Sequence, residues 1–548
     1  MELLNLLLVD FVASQGYTQP LKVMVHMGFG TLSHIKPLLE IGTVLRERNH
    51  TVVYAAFDEA EKFNKPYGFK YISLGSLGQV GDRREQMKKT FRSREQSDAI
   101  KSIPTTLGVI GPAAYHVTYP ALSKVIDQEK PDVIACDFFS PACRDVAEMK
   151  GVPLITGFQS TDMYDIAPSS FITNSFTYAS ITTDNLNFIQ RIQDRVFIPL
   201  KKMYYFRPMI NLMNEARAKY NVPPASHPFG DFSTSLGLAN TFEGLEAATP
   251  LPPNIKMIGP IKSDSYAPLT PELSKFLDSH PRTMYVAFGS AVVLADFDID
   301  NLVAGSLTAL AEGSIDGILW GLGKTFAEDF PETFTVNGTE ITRDHLFSDK
   351  HPHMRLLPWA PQTAILEHKN THLFVSHGGI ESTVEAMLSG TPILLMAFFG
   401  DQPRNARKLE DAGVGKYVNR LTATSSSLAS DIKYMLNDST GSIAANVKRM
   451  QAITQIGSRR KALGADAIEE YAYSSMACRP IYPHKYGQAP CELQHLTMAS
   501  RNMSFIQANA IDVYGAVILA LVTLLYTVWK AISGSGTKPP KDPTKKNQ

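Results

Sequence analysis

Short apolar runs alternate along the chain with longer stretches in which apolar side chains recur at helical spacing. Lys22–Met27 is such a run, and residues 35–48 carry apolar side chains three and four positions apart before the next run, Thr51–Ala56. Continuous apolar runs are typical of strands buried on both faces, and the helical spacing is typical of the helices that cover them. The chain therefore opens with a predicted βαβ unit.

The same alternation continues to residue 261, stops at a linker rich in Pro, Ser and Asp, and then restarts. Further predicted strands of the first half are residues 71–74, 132–136, 153–157, 235–239 and 255–261. Those of the second half are residues 283–288, 318–322, 373–376 and 392–396. Strands that alternate with helices predict parallel sheets covered on both faces, so the fold class is α/β with two doubly wound, Rossmann-like domains.

Ligands of doubly wound sheets bind beyond the carboxyl ends of the strands. Three turns at such ends carry glycine or polar residues, at residues 28–34, 289–290 and 377–382. We expect these turns to line one cleft between the two domains.

Composition agrees with a two-domain globular protein, because 548 residues with 44% hydrophobic content exceed what one core usually holds. Lysine plus arginine and aspartate plus glutamate both number 53, so no overall field favours nucleic acid as a partner. The four cysteines fit no zinc pattern. We expect Cys136 and Cys143 to be buried small hydrophobic residues, and we leave open whether Cys478 and Cys491 pair.

The C-terminal region contains a segment, residues 513–533, that is apolar and long enough for a transmembrane helix. A buried core helix is the alternative, which the Gly, Pro and Lys-rich tail at residues 534–548 disfavours. Positive charge on that side of the segment predicts a cytosolic tail and lumenal domains. Lys545 and Lys546 resemble a retrieval signal of the endoplasmic reticulum, and residues 1–20 are a candidate signal segment.

A longer pattern spans the second half of the chain: Trp359, Ala360, Pro361, Gln362, then His377, Gly378, Gly379, then Glu385, and finally Asp401 and Gln402. This pattern resembles the signature of the membrane-bound UDP-dependent glycosyltransferases of family 1, the UDP-glucuronosyl and UDP-glucosyltransferases. The resemblance implies the GT-B architecture, with an acceptor-binding domain at residues 21–262 and a UDP-sugar-binding domain at residues 272–456. Residues 457–512 are expected to be helices that lead to the membrane.

The resemblance also implies roles in binding the UDP-sugar. Trp359 stacks on uracil, Ala360 and Gln362 contact uracil and ribose, and Glu385 accepts from the ribose hydroxyls. The remaining expected contacts are Ser290, His377, Gly379 and Ser382 with the diphosphate, and Asp401 and Gln402 with the sugar hydroxyls. A helix that begins after the His-Gly-Gly turn would bind the diphosphate with its backbone N–H groups, so no metal or other cofactor is expected.

Weaker interpretations of these residues also exist. Trp359 alone would be read as a packing residue, and Gly378 and Gly379 alone as a tight turn. Glu381 departs from the family, because many relatives carry asparagine there. A carboxylate beside a diphosphate repels it unless the side chain points away.

His34 lies at the head of the first predicted helix, in surroundings that resemble the place of the catalytic base in this family. Asp137 follows a predicted strand, where relatives carry the aspartate that orients the histidine. The hypothesis is an inverting displacement in which His34 takes the acceptor proton while UDP leaves. His26, inside the strand, is expected to be a packing residue.

Residues 158–224 are rich in Phe, Tyr, Met and Ile, which indicates either an apolar acceptor pocket or helical core. The expected partners are a UDP-sugar, with glucose favoured over glucuronate, a small lipophilic acceptor and a membrane; a homo-oligomer is left open. A catalytically inactive UDP-sugar-binding protein is the alternative function. A nicotinamide-dependent dehydrogenase is disfavoured, because Gly28 and Gly30 do not complete the glycine fingerprint.

Overall fold

A computed structural model describes residues 19–28, 32–78, 99–164, 170–177, 179–230, 232–336, 338–348 and 351–534. The candidate signal segment up to residue 18, the turn residues 29–31 and the tail from residue 535 lie outside the described residues. Residues up to His495 belong to one compact unit, and residues from Leu496 onward belong to a second.

The first sheet of the large unit has seven strands, all parallel, in the order β3-β2-β1-β4-β5-β6-β7. Every strand predicted for this half is present, although the last is shorter than predicted. The strands are β1 (Lys22–Met27), β2 (Thr51–Ala56), β3 (Lys70–Ser73), β4 (Val133–Asp137), β5 (Leu154–Phe158), β6 (Leu236–Ala239) and β7 (Ile255–Met257).

Helices cover both faces of this sheet. Apolar side chains of the first helix, including Ile35, Leu38 and Leu45, are buried against the strands, as the helical spacing predicts. The helices of this half are α1 (Leu32–Glu47), α2 (Glu61–Asn64), α3 (Ala99–Glu129), α4 (Pro141–Lys150), α5 (Phe188–Ile192) and α6 (Ile198–Ala218).

The second sheet has six parallel strands in the order β12-β9-β8-β13-β14-β15, beside an antiparallel hairpin of β10 and β11. The strands are β8 (Thr283–Ala287), β9 (Gly317–Gly321), β10 (Thr333–Val336), β11 (Thr339–Thr342), β12 (Met354–Leu357), β13 (Thr371–Ser376), β14 (Ile393–Leu395) and β15 (Gly415–Tyr417). The sequence analysis missed β10, β11, β12 and β15, because these short strands mix polar and apolar residues and lack a continuous apolar run.

The helices of this half are α7 (Pro271–Ser279), α8 (Asp296–Ala311), α9 (Arg343–Phe347), α10 (Gln362–Leu366), α11 (Ile380–Ser389), α12 (Gln402–Asp411), α13 (Ser425–Asn437), α14 (Ser442–Gly457) and α15 (Lys461–Cys478). Helix α15 returns to the first half and packs on α1. A methyl group at Gly464 would lie 2.6 Å from Ile41 Cδ1, so any larger residue there would displace the Ile41 side chain. Asp466 lies inside α15, where it pairs with Arg48 at the C-terminal side of α1.

Each sheet has a point at which its strand order reverses. In the first sheet this switch point lies between β1 and β4, and in the second between β8 and β13. Crevices open at such points, beyond the carboxyl ends of the strands. His34 and Asp137 follow the first pair of strands, while Ser290 and His377 follow the second, so the topology brings both predicted sets to the two switch points.

The cysteines form two disulfide bonds. Cys478 pairs with Cys491, which settles the question left open by the sequence. Cys136 pairs with Cys143, so the expectation of two unpaired hydrophobic residues was wrong. The pairing arises because α4 folds back on the end of β4, which places the two Cα atoms 6.1 Å apart.

The second unit contains α16 (Phe505–Ala508) and α17 (Ile511–Gly534). Residues Ile511–Ser533 of α17 have a mean hydropathy of 2.0, and none of this apolar segment is buried. A helix of this length and composition is sufficient to cross a membrane.

Candidate active site

A cavity of about 1290 Å³ lies between the two sheets. All predicted site residues except Asp137 line it: His34, Ser290, Trp359, Ala360, Gln362, His377, Gly379, Ser382, Glu385, Asp401 and Gln402. Asp137 is buried behind His34 instead. The prediction of one shared cleft is therefore confirmed.

His34 and Asp137 are hydrogen-bonded, with Nδ1 of the imidazole 3.2 Å from Oδ2 of the carboxylate. The other carboxylate oxygen accepts the backbone N–H of Phe139 at 3.0 Å, and the Phe139 ring packs 5.0 Å from the imidazole. Asp137 is 1% exposed. An imidazole that donates through Nδ1 carries its lone pair on Nε2, the arrangement a general base needs.

His26 is a packing residue, as predicted. It is fully buried, with Nδ1 at 2.8 Å from the Ala55 carbonyl and Nε2 at 2.9 Å from Ser140 Oγ. Burial lowers the pKa of His26 to about 4, against smaller opposing effects of the Ala55 carbonyl and Asp137. The imidazole is therefore neutral at neutral pH.

Trp359 stands at the cavity with 69% of its surface exposed, whereas Trp320 is completely buried in the core of the second half. A packing role for Trp359 is thereby excluded. An exposed indole beside a cavity offers a flat apolar face on which an aromatic base can stack.

Gln362, Ser382 and Glu385 form one hydrogen-bonded group. The Gln362 amide donates to Ser382 Oγ at 3.1 Å and to Glu385 Oε2 at 2.5 Å. Thr363 Oγ1 donates to the second Glu385 oxygen at 2.7 Å. These bonds fix the Glu385 carboxylate in the middle of α11, where it lines the cavity.

His377 is held between two glycines. A methyl group at Gly379 would lie 2.5 Å from His377 Nε2, and one at Gly289 would lie 2.9 Å from the same atom. Burial lowers the pKa of His377 to about 4, so the ring is neutral and offers one N–H donor. The helix α11 begins directly after Gly379, which leaves its first backbone N–H groups facing the end of the cavity.

Asp401 and Gln402 begin α12. Asn405 donates to Asp401 Oδ2 at 2.7 Å and to the Gly378 carbonyl at 3.0 Å, so it ties Asp401 to the His-Gly-Gly turn. Gln402 Oε1 accepts the backbone N–H of Phe398 at 2.9 Å. Burial raises the pKa of Asp401, and the hydrogen bond from Asn405 acts against this effect.

Comparison with known proteins identifies the family of the chain. The family model described as UDP-glucoronosyl and UDP-glucosyl transferase matches residues 82–455. The chain belongs to this family. It is 30% identical over 520 residues to UDP-glycosyltransferase stmC of Aspergillus ustus, and 29% identical over 519 residues to a UDP-glycosyltransferase of Talaromyces amestolkiae. Each alignment covers 90% of this chain and 94% of the relative.

Solved structures share the fold. The glycotransferase of kitacinnamycin superposes with a TM-score of 0.55 at 15% identity, covering 82% of this chain and 99% of that one. The protein is therefore a UDP-glycosyltransferase with the GT-B architecture, and it transfers a sugar from a UDP-sugar to an acceptor.

The transferase also contains a buried charge cluster that was not predicted from the sequence. Lys408 Nζ on α12 contacts Asp162 and Glu246 of the first half, and Arg404 Nε donates to Asp162 at 2.8 Å. Burial raises the pKa of Asp162, but Lys408 and Arg404 outweigh this effect and lower it to about 2. Nothing in the local sequence predicts this cluster, because its members are far apart in the chain and belong to no common motif.

Residues 158–224, predicted to form either an apolar pocket or helical core, contribute to both a cavity wall and the core. Gln159, Phe176 and Phe206 line the cavity of the transferase, while Met209 and Met213 are buried in the core. Helix α6 therefore forms part of an apolar wall of the cavity as well as part of the packing of the first half.

Proposed function

We propose that the enzyme inverts configuration as it transfers glucose to a hydroxyl of a small lipophilic acceptor. The observation that carries this proposal is the His34–Asp137 hydrogen bond at the cavity that the donor-motif residues share. His34 Nε2 takes the acceptor proton, the acceptor oxygen forms a bond to the anomeric carbon, and the bond from that carbon to UDP breaks. Asp137 stabilises the resulting imidazolium.

The leaving diphosphate is stabilised in this proposal by His377, Ser290 and the first N–H groups of α11, aided by Gly379 and Ser382. Trp359 stacks on uracil, with Ala360 and Gln362 beside the base and ribose, and Glu385 accepts from ribose hydroxyls. These contacts supply positive potential from backbone and neutral side chains, so the proposed mechanism uses no metal.

The charged residues of α12, which follows Asp401, favour a UDP-sugar with a neutral hexose over UDP-glucuronate. A sugar carboxylate would need a cation, and the three cations of α12 are already paired with carboxylates of the protein. Arg404 pairs with Asp162, Arg407 with Glu410, and Lys408 with both Asp162 and Glu246. Asp401 itself would repel a second carboxylate, whereas it can accept hydrogen bonds from sugar hydroxyls.

The configuration of the product tests this proposal. The enzyme is incubated with UDP-glucose and a lipophilic alcohol, and the anomeric proton of the product is observed by NMR as it forms. A β-glucoside from the α-linked donor is expected. An α-glucoside as the first product would contradict the single displacement.

We further propose that α17 anchors the enzyme with its large domains in the lumen of the endoplasmic reticulum. The length and hydropathy of the helix support the anchor, and the basic residues at its C-terminal side support a cytosolic tail. Two disulfide bonds support an oxidising compartment for the large unit. Protease treatment of intact microsomes should remove an epitope at the C-terminus and leave the large domains undigested; digestion of those domains would contradict the topology.

The alternative, a UDP-sugar-binding protein without catalysis, is disfavoured by the intact His34–Asp137 pair. Such a protein has no need of a base held in one tautomer at a cleft.

A further inference from the structure

Glu381 occupies the second position of α11, two residues after Gly379. The N-terminus of a helix favours an anionic ligand, because its first N–H groups are unpaired and carry partial positive charge. A carboxylate at this position reduces that potential. A transferase that binds a diphosphate here therefore needs a compensating cation.

Lys36 supplies a cation at this point. It extends from α1 of the first half across the cleft, and its Nζ contacts Glu381 Oε1. Both side chains line the cavity, and each is about one sixth exposed, at 16% and 17%. The ion pair thus joins the two halves of the protein beside the proposed diphosphate site.

Glu381 has spare capacity to accept a hydrogen bond. Its second oxygen, Oε2, is buried without a hydrogen-bond partner among the described residues. The carboxylate therefore holds Lys36 through one oxygen and is not tied to the N–H groups of its own helix. Those N–H groups stay available for a ligand.

Lys36 remains a cation in this environment. Burial lowers the pKa of Lys36, but the neighbouring carboxylates Glu381, Glu385 and Glu40 together raise it above its ordinary value. An ammonium group has three N–H donors, and among the described residues only the contact with Glu381 occupies one, so Lys36 can also donate to an anion in the cavity.

We propose that Lys36 is a donor-binding residue that contacts the diphosphate of the UDP-sugar and offsets the negative charge of Glu381. This inference rests on the proposed function of the cavity. Lys36 restores the positive charge that Glu381 removes, so the departure from asparagine at position 381 is compensated by a residue of the opposite domain.

The proposal orders three variants and the wild type by their affinity for UDP. Lys36→Met leaves the Glu381 carboxylate uncompensated beside the diphosphate and should bind UDP most weakly. Glu381→Gln removes that repulsion and keeps the lysine, so it should bind UDP as well as the wild type or better. The double variant should fall between the two, because it lacks both charges.

The test compares the binding of UDP and of uridine by isothermal titration calorimetry, with the full-length enzyme in detergent. We expect Lys36→Met to bind UDP at least about tenfold more weakly and to bind uridine, which has no phosphate, within about twofold of the wild type. In the double variant, at least half of the lost binding free energy should return. Lys62→Met, which removes another lysine that lines the cavity, should leave UDP binding unchanged.

Two results would overturn the proposal: unchanged UDP binding by Lys36→Met, or an equal loss of UDP and uridine binding, which would indicate a structural role. Lys36→Arg keeps the charge and should bind UDP within about threefold of the wild type. This control shows whether a substitution at position 36 weakens binding by itself, through misfolding, or only when the charge is lost. A wild-type enzyme that binds neither UDP nor uridine would instead overturn the proposed function itself.

Discussion

The orientation of the His34 imidazole depends on one hydrogen bond with Asp137. The carboxylate accepts from Nδ1 and is itself held by the Phe139 backbone, so the ring has one tautomer and one orientation. The disulfide between Cys136 and Cys143 begins at the residue before Asp137 and restrains the end of β4. The imidazole of His34 is therefore oriented from a buried side, since Asp137, Cys136 and Cys143 are each at most 1% exposed.

Replacement of His34 by alanine should lower turnover by about 10²- to 10⁴-fold, because general-base assistance is lost. Binding of UDP should change little, since His34 itself makes none of the proposed contacts with UDP. Turnover is measured as UDP release, and binding by calorimetry. Asp137→Asn should also lower turnover, and unchanged turnover in His34→Ala would contradict the assignment.

His26 gives a prediction about stability and pH. Its pKa is lowered in the folded state from 6.5 to about 4, so the unfolded state binds a proton that the folded state excludes between these values. Stability is fully present above the unfolded pKa and falls as pH decreases through this window, by about 2 kcal/mol near pH 5.

Urea unfolding of the wild type and His26→Gln at about pH 7 and about pH 5 measures this contribution. The wild type should lose more stability on acidification than the variant does. Equal losses would show that His26 does not carry the effect; His377, whose pKa is lowered in the same way, accounts for part of the dependence that remains.

At the scale of elements, the long apolar runs were predicted correctly because strands buried on both faces leave a continuous signal in the sequence. Short strands such as β11 and β15 leave no such signal. The motif residues could be placed in one cleft because parallel strands bring their carboxyl ends to the same edge. The pairing of Lys36 with Glu381 could not be predicted, since it depends on how two domains face each other across the cleft.

The turn before α11 gives a prediction of its own. Gly379→Ala would place a methyl group 2.5 Å from His377 Nε2, so the imidazole must move. We expect turnover to fall by about tenfold or more, because His377, the proposed hydrogen-bonding partner of the leaving diphosphate, is displaced. Gly108→Ala is the control, since its added methyl group would lie 3.8 Å from Met209 Cβ and fits without movement. Equal activity of the two variants would contradict the role of this turn.

At the scale of the whole molecule, several charge contacts join the halves of the large unit. They include the pair of Lys36 with Glu381 and the buried cluster of Lys408, Arg404, Asp162 and Glu246. Helix α15 packs on α1 and adds the pair of Asp466 with Arg48. The cleft is thus held by specific contacts on several sides, so its geometry and its catalysis depend on both domains.

Lys408→Met should lower the free energy of unfolding by about 3 to 5 kcal/mol, because it leaves Glu246 buried without its cation and Asp162 paired with Arg404 alone. The double variant Lys408→Met/Glu246→Gln should recover part of this loss. Lys433→Met breaks an exposed pair with Glu312 and should cost less than about 1 kcal/mol. Chemical denaturation measures all three, and a Lys408 variant as stable as the Lys433 variant would contradict the importance of the cluster.

The most direct test of the whole account is a panel of UDP-sugars offered with one lipophilic alcohol, read as the release of UDP. The panel includes UDP-glucose, UDP-glucuronate, UDP-galactose and UDP-N-acetylglucosamine, with His34→Ala as the control for background hydrolysis. We predict acceptor-dependent UDP release that is fastest with UDP-glucose and is abolished to near background in His34→Ala. UDP release with none of the four donors, or equal release by His34→Ala, would contradict the account.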